Sequence, residues 1–327
     1  MDQRRWRCNL CYRVNELPEE FLYDPVSKSY GDPSRRPECK SSTIEFIAPQ
    51  EYMLRPPQPA VYIFLLDVSR QALECGYLRN FCDTLCEELD KLPGDGRTQV
   101  GFITYHRTLQ FYQITEGSSQ VCFTRFSLID RSLKGNVSKY VLDDHCNLCK
   151  HCFLQPTQLV VGDIDDVFLP CPTDLLANLA NCHDQISNML TDLPELFNGS
   201  QETESCLGAA LQAAYKLAYQ TGGRITVLQS TLPNLGPGAL RSREMQGEKA
   251  ADTALLNPST DFYKKLALDC SGQQIAVDLF VLQNQHCDLA TISGISKFSG
   301  GQVQVFPGYH TTQSPATAER FDRALRR

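Results

Sequence analysis

An α/β fold built on a doubly wound, mainly parallel sheet is predicted by three features of the 327-residue sequence. Ala60–Ser69 (AVYIFLLDVS) and Gln99–Tyr105 (QVGFITY) are short apolar runs rich in Val, Ile, Phe and Tyr. That composition suits strands buried on both faces. Between them Gly76–Leu92 sets Leu78, Phe81, Cys82, Leu85, Leu89 and Leu92 on one face at helical spacing, and Pro93-Gly94-Asp95-Gly96 stops it. After Gly96, strand-like and helix-like stretches alternate, Val121–Gln155 excepted, the pattern that right-handed crossovers turn into a parallel sheet.

Taken in order, residues 1–58 form a polar front with seven prolines and no helical period, and Thr43–Ala48 alternates well enough for a strand. Arg55–Pro59 reads as a stiff linker. Beyond the first two strands, further strands are expected at Leu109–Ile114, Gln158–Val161, Arg224–Gln229, Ile275–Leu282 and Gln302–Phe306. Helices are expected at Thr173–Leu193, Thr203–Tyr219, Thr260–Cys270, Cys287–Phe298 and Pro315–Arg326. Val121–Gln155 follows neither period and separates two strands that a short loop would otherwise join.

Composition excludes several classes. The net charge of −7 argues against broad nucleic-acid binding. No apolar run reaches membrane-spanning length, and no signal-peptide core follows Met1–Arg5, so a cytoplasmic chain is expected. Fifteen cysteines do not make a disulfide scaffold here, because Cys75, Cys82, Cys86 and Cys270 sit inside apolar patterns. No Ser–His–Asp or Cys–His arrangement and no glycine-rich phosphate loop is legible, so the chain is expected not to be an enzyme.

Four clusters carry chemistry. Asp67-Val68-Ser69-Arg70-Gln71 resembles the opening of a von Willebrand A-type metal site, Asp-x-Ser-x-Ser, but Gln71 replaces the second serine and Arg70 adds positive charge. The favoured reading is a strand-end turn capped by Asp67 and Ser69; the alternative is a magnesium-dependent ligand-binding domain. Cys8-Asn9-Leu10-Cys11 has zinc-knuckle spacing, one pair of the four ligands that structural zinc needs. Cys146, Cys149 and Cys152, with His145 and His151, form a denser cluster inside the atypical segment. Gly162–Val167 (GDIDDV) places three acids after a strand, where they are expected to cap a turn.

Arg4–Phe21, Glu51–Ser69, Leu92–Phe102, Gly162–Pro170 and Asp261–Phe280 together resemble the cargo-adaptor subunit of the COPII inner coat, the Sec-twenty-four family in its animal A/B-like form. The resemblance covers nearly all of 1–120 and 156–327. It implies residues 1–20 as the C-terminal half of a zinc ribbon, 21–58 as part of a β-barrel with its linker, and 59–327 as a von Willebrand A-like trunk with 121–155 inserted. It implies structural zinc on Cys8 and Cys11, whose partner cysteines are expected upstream of Met1. It also implies a non-enzymatic adaptor in endoplasmic reticulum to Golgi transport. The implied partners are the GTPase-activating coat subunit, the coat's small GTPase through that complex, cargo export signals and SNAREs, with peripheral contact to the endoplasmic reticulum membrane at exit sites and vesicles. Arg97 matches an arginine of a SNARE-binding pocket, and a guanidinium suits carboxylates and carbonyls. Arg35, Arg36, Arg241 and Arg243 are expected to be exposed and belong to no implied pocket.

Overall fold

The computed structural model describes residues 5–32, 37–41, 43–45, 47, 49–114, 157–170, 172–243, 256–283 and 286–327. The chain divides into two compact units, Met1–Pro56 and Pro57–Arg327, inside the proline-rich run.

The first unit is small and exposed. Strands β1 (Arg5–Arg7) and β2 (Val14–Glu16) pair antiparallel, as do β3 (Tyr23–Asp24) and β4 (Ser29–Tyr30), and a one-turn helix α1 covers Pro37–Lys40. The strand expected at Thr43–Ala48 is not formed at Thr43, Ile44, Glu45 or Ile47; the rest of that segment lies outside the described residues. No neighbouring strand among the described residues pairs with it, and unpaired backbone gives a strand no ladder to hold it.

The second unit carries one sheet of β5 (Val61–Asp67), β6 (Gln99–Tyr105), β7 (Leu109–Gln113), β8 (Thr157–Val161), β9 (Ala177–Asn178), β10 (Gly223–Gln229), β11 (Ile275–Gln283) and β12 (Val303–Pro307). Its order is β12-β11-β10-β5-β6-β7-β8, with β9 against the start of β6. The five strands from β12 to β6 are parallel. β7 and β8 form an antiparallel hairpin on one edge.

Helices α2 (Arg70–Glu74), α3 (Tyr77–Glu88), α4 (His183–Leu196), α5 (Leu207–Ala218), α6 (Phe262–Gly272), α7 (Leu289–Ile292), α8 (Gly294–Ser299) and α9 (Pro315–Leu325) cover the two faces. β5 shows how the layers arise. Ile63 and Leu65 point into a core with Ala213 of α5 and Ala267 of α6, while Phe64 and Leu66 point into a second core with Phe81 of α3 and Leu190 of α4. Gly208 lets α5 approach closely, since a β-carbon there would lie 1.8 Å from the Pro237 carbonyl oxygen.

Three elements of this unit differ from expectation; the single helix expected at Cys287–Phe298 is two, Leu289–Ile292 and Gly294–Ser299, parted at Ser293. The helix expected from Thr173 begins only at His183, because Ala177–Asn178 add a short antiparallel ladder to β6. Asn178 also spends its side chain locally, donating to the Gly96 carbonyl at 2.9 Å and accepting from the Asn181 N–H at 2.9 Å, the competition that keeps asparagine out of helix interiors. The single helix expected from Gly76 has a separate turn of helix before it, Arg70–Glu74. Gly76 breaks the two with φ +77°, and a β-carbon there would collide with the Thr311 hydroxyl.

Candidate functional site

Chain order reverses between β5 and β10, so the carboxyl ends of these two strands make the crevice where open α/β sheets receive ligands. Asp67 ends β5 and Gln229 ends β10. Both are fully buried, together with Ser69, Ser205 and Tyr105.

The Asp67 carboxylate accepts four N–H groups. Oδ1 takes the Ser69 backbone N–H at 2.9 Å, and Oδ2 takes those of Ser230 and Thr231 at 3.1 Å each and the Gln229 side-chain amide at 3.3 Å. Burial pushes the Asp67 carboxyl up, and the N–H donors, led by that of Ser69, pull it back. Asp67 thus makes the expected turn. Ser69 does not cap α2 with its side chain; its hydroxyl lies 2.6 Å from that of Thr231. A magnesium ion needs free oxygen lone pairs in near-octahedral array, and here positive N–H ends fill them. The residues present do not fit the ion, and the metal-dependent alternative has no site at Asp67.

Beside this crevice His106 closes the β6–β7 turn, its Nδ1 accepting the backbone N–H of Arg107 at 2.5 Å and of Thr108 at 3.3 Å. Burial lowers the His106 imidazole, and the Glu202 carboxylate partly offsets it.

Arg97 is exposed and does not stand free. Its guanidinium donates to Asp95 Oδ2 through Nη2 at 2.7 Å and Nε at 3.1 Å, and its backbone N–H donates to Oδ1 at 2.8 Å. The pair holds the Asp95 carboxyl below its usual range. Only a carboxylate or carbonyl ligand that takes the same Nε–Nη2 edge of Arg97 must displace Asp95.

Cys8 and Cys11 lie in the turn joining β1 and β2. The Leu10 N–H donates to Cys8 Sγ at 3.4 Å, and the Cys8 N–H and carbonyl bond Arg13 and Tyr12 at 2.9 and 3.0 Å. Tyr12 turns the corner at φ 58°. Backbone N–H groups of Cys11 and Leu10 directed at the sulfur lower the Cys8 thiol. This donor set fits half a tetrahedral zinc site: two soft ligands, one already biased toward thiolate. Among the described residues no third Cys, His, Asp or Glu joins them. Cys146, Cys149, Cys152, His145 and His151, with all of 121–155, lie outside the described residues, as do Arg35 and Arg36.

Two sequence expectations resolve locally. Asp163 Oδ1 accepts the Asp166 N–H at 3.3 Å, so an acid of the GDIDDV stretch does cap its turn. Arg243 is not an exposed basic residue. Its side chain is 14% exposed and its Nη2 donates to Asp288 Oδ1 at 2.5 Å, while Nη1 donates to the Asn257 carbonyl at 3.0 Å. Asp288, itself buried, also accepts from Thr291 Oγ1 at 2.9 Å and from Ser259 Oγ at 3.4 Å. Sequence reading missed this junction because the partners stand 45 positions apart.

Fold and crevice together define a von Willebrand A-like α/β domain whose ligand end is closed by its own side chains. A family model described as the Sec23/Sec24 trunk domain matches residues 57–327. The chain belongs to that family. Human protein transport protein Sec24B is 49% identical over 329 residues, covering 100% of this chain and 23% of that protein. Bovine protein transport protein Sec24A is 48% identical over 328 residues, covering 100% and 27%. Among solved structures, the human COPII-coat protein Sec24c superposes with a TM-score of 0.72 at 27% identity, over 99% of this chain and 39% of that one. The chain thus spans about a quarter of the length of the curated relatives it matches.

Proposed function

We propose that this chain serves as a cargo adaptor of the COPII coat, a non-enzymatic component of transport from the endoplasmic reticulum to the Golgi that acts by protein–protein contact. The observation that carries the reading is the trunk-family match over 57–327, laid on a sheet whose ligand crevice is filled by Asp67, Gln229 and their hydrogen-bond partners. A domain with no open crevice at its switch point has its outer surfaces left for work, which suits a coat part.

In this reading the trunk pairs with the GTPase-activating coat subunit. Through that complex the chain meets the coat's small GTPase and the cytoplasmic face of the endoplasmic reticulum membrane, at exit sites and on vesicles. Residues 1–20 act as half of a zinc ribbon, with Cys8 and Cys11 as two structural ligands, and 21–58 contribute to a β-barrel. Arg97 contributes to SNARE selection, its fork exchanging Asp95 for a carboxylate or carbonyl of the SNARE.

The test is co-purification of this chain with the GTPase-activating coat subunit, followed by capture of SNARE cytoplasmic segments on the pair. A stoichiometric complex is expected, and Arg97→Ala should weaken SNARE capture while leaving the pair intact. No complex with the coat subunit would sink the adaptor reading. Equal SNARE capture by Arg97→Ala would remove Arg97 from it.

A further inference from the structure

The amide nitrogen of Gln229 stands at the centre of an oxygen cradle. Nε2 donates to Asp67 Oδ2 at 3.3 Å, to Ser205 Oγ at 3.1 Å and to the Thr231 carbonyl. The other end of the amide is fixed, since Oε1 accepts the Tyr105 hydroxyl at 2.6 Å, and that hydroxyl also donates to the Leu228 carbonyl at 3.1 Å. A carboxylate, a hydroxyl and a carbonyl converging on one point are the ligand types a hard divalent cation collects. They converge here on an uncharged N–H donor.

We propose that the Gln229 side-chain amide is a built-in substitute for a cation, so that the crevice is a latent divalent-cation site held permanently in a metal-free closed state. The argument is electrostatic. The amide adds one partial positive hydrogen to a buried carboxylate held by three backbone N–H groups, and its other hydrogen serves the hydroxyl and carbonyl beside it. It does so from the end of β10, tying it to β5 through Asp67, to β6 through Tyr105 and to the residues before α5 through Ser205. A cation-filled crevice changes with metal and ligand; one filled by a side chain is indifferent to both. The loops at this end of the sheet are therefore set by the fold alone.

The experiment uses the full chain and follows thermal unfolding with millimolar MnCl2, with MgCl2 and with EDTA, at matched ionic strength. The native chain should unfold at one temperature in all three. Gln229→Glu sets a second carboxylate beside Asp67; it should unfold several degrees lower in EDTA and recover a large part of that loss in MnCl2. Gln229→Met fills the volume without charge and should stay low in every buffer. Should Gln229→Glu not fold, Gln229→Ser is substituted and Mn2+ binding is read directly by electron paramagnetic resonance, with bound Mn2+ expected for the variant and none for the native chain. Saturable Mn2+ stabilisation of the native chain would overturn the proposal. So would a Gln229→Glu variant no more sensitive to Mn2+ than Gln229→Met, or a Gln229→Ser variant that binds none.

Discussion

The hydroxyl of Ser69 lies 2.6 Å from that of Thr231, bridging the residue before α2 to the loop after β10 across 162 positions of chain. Both residues are buried, so neither hydroxyl has water to fall back on. Ser69→Ala strands Thr231 at a cost of roughly 1–3 kcal/mol for an unsatisfied buried polar group, whereas Thr231→Val leaves Ser69 its contact with the Asp67 carboxyl and should cost less. The double variant removes both groups and should cost less than the two singles together. Urea unfolding of the four chains closes the cycle, and strict additivity would mean the contact carries no coupling.

His106 gives the trunk a pH-dependent term. Burial lowers its imidazole below the ordinary value of 6.5, so the unfolded chain binds the proton more readily. The contribution is therefore complete above that ordinary value and is lost as pH falls through it toward the folded value. Geometry agrees in sign: Nδ1 accepts two backbone N–H groups and loses that capacity on protonation. His106→Asn keeps an acceptor for the turn and does not titrate. Its melting temperature should fall less than that of the native chain between about pH 7.5 and about pH 5.5, the range in which histidine changes charge. Parallel curves would remove His106 from the account.

The long apolar strands were legible because burial on both faces leaves a composition that polar segments cannot imitate. β6 is found where Gln99–Tyr105 predicts it, and β5 ends on Asp67 as its pattern requires. Asn178 and Gly76 show what periodicity cannot carry. One leaves a helix for a two-residue ladder, and the other parts the expected helix from an extra turn before it through a single backbone angle. The site was half legible: Asp67 and Ser69 announce the crevice, yet nothing in LQSTLP (Leu228–Pro233) marks Gln229 as the group that fills it. Its role appears only when β10 is set beside β5, 162 residues away in sequence. Arg243 was missed for the same reason, since burial beside Asp288 depends on where two distant segments meet.

That second junction makes a sharper prediction than a surface ion pair would. Asp288→Ala leaves the Arg243 guanidinium largely buried without its carboxylate, and breaking a buried pair from one side costs roughly 3–5 kcal/mol. Arg243→Met with Asp288→Leu replaces both charges by apolar volume and should restore much of the loss, because desolvation of the ions is avoided. Chemical denaturation of the single and double variants checks it. A double variant as weak as Asp288→Ala alone would place the cost in the hydroxyl contacts of Ser259 and Thr291.

Thiol chemistry should separate the two units. Backbone N–H groups of Cys11 and Leu10 lower the Cys8 thiol, whereas burial pushes Cys75 up to about 11 and Cys206, Cys270 and Cys287 up to about 12. Since the thiolate is the reactive form, brief iodoacetamide treatment of the native chain at neutral pH should label Cys8 well before those four. Peptide mass spectrometry reads the order. Zinc added beforehand should protect Cys8 if the knuckle holds metal, and early labelling of Cys206 or Cys287 would show that the trunk core opens readily.

The β7–β8 hairpin sets the last expectation. Gln113 and Thr157 are register partners across the antiparallel pair, so the chain leaves β7 and enters β8 at adjacent points on the sheet edge. Removing 121–155 leaves 114–120 and Pro156 to span that gap, ample for a hairpin connection. Loop-closure entropy favours the shorter link, though only slowly with length, so the deleted chain should melt at the same temperature or slightly higher. A loss of several degrees on deletion would show instead that 121–155 contributes to stability, and would make metal binding by Cys146, Cys149 and Cys152 the next measurement.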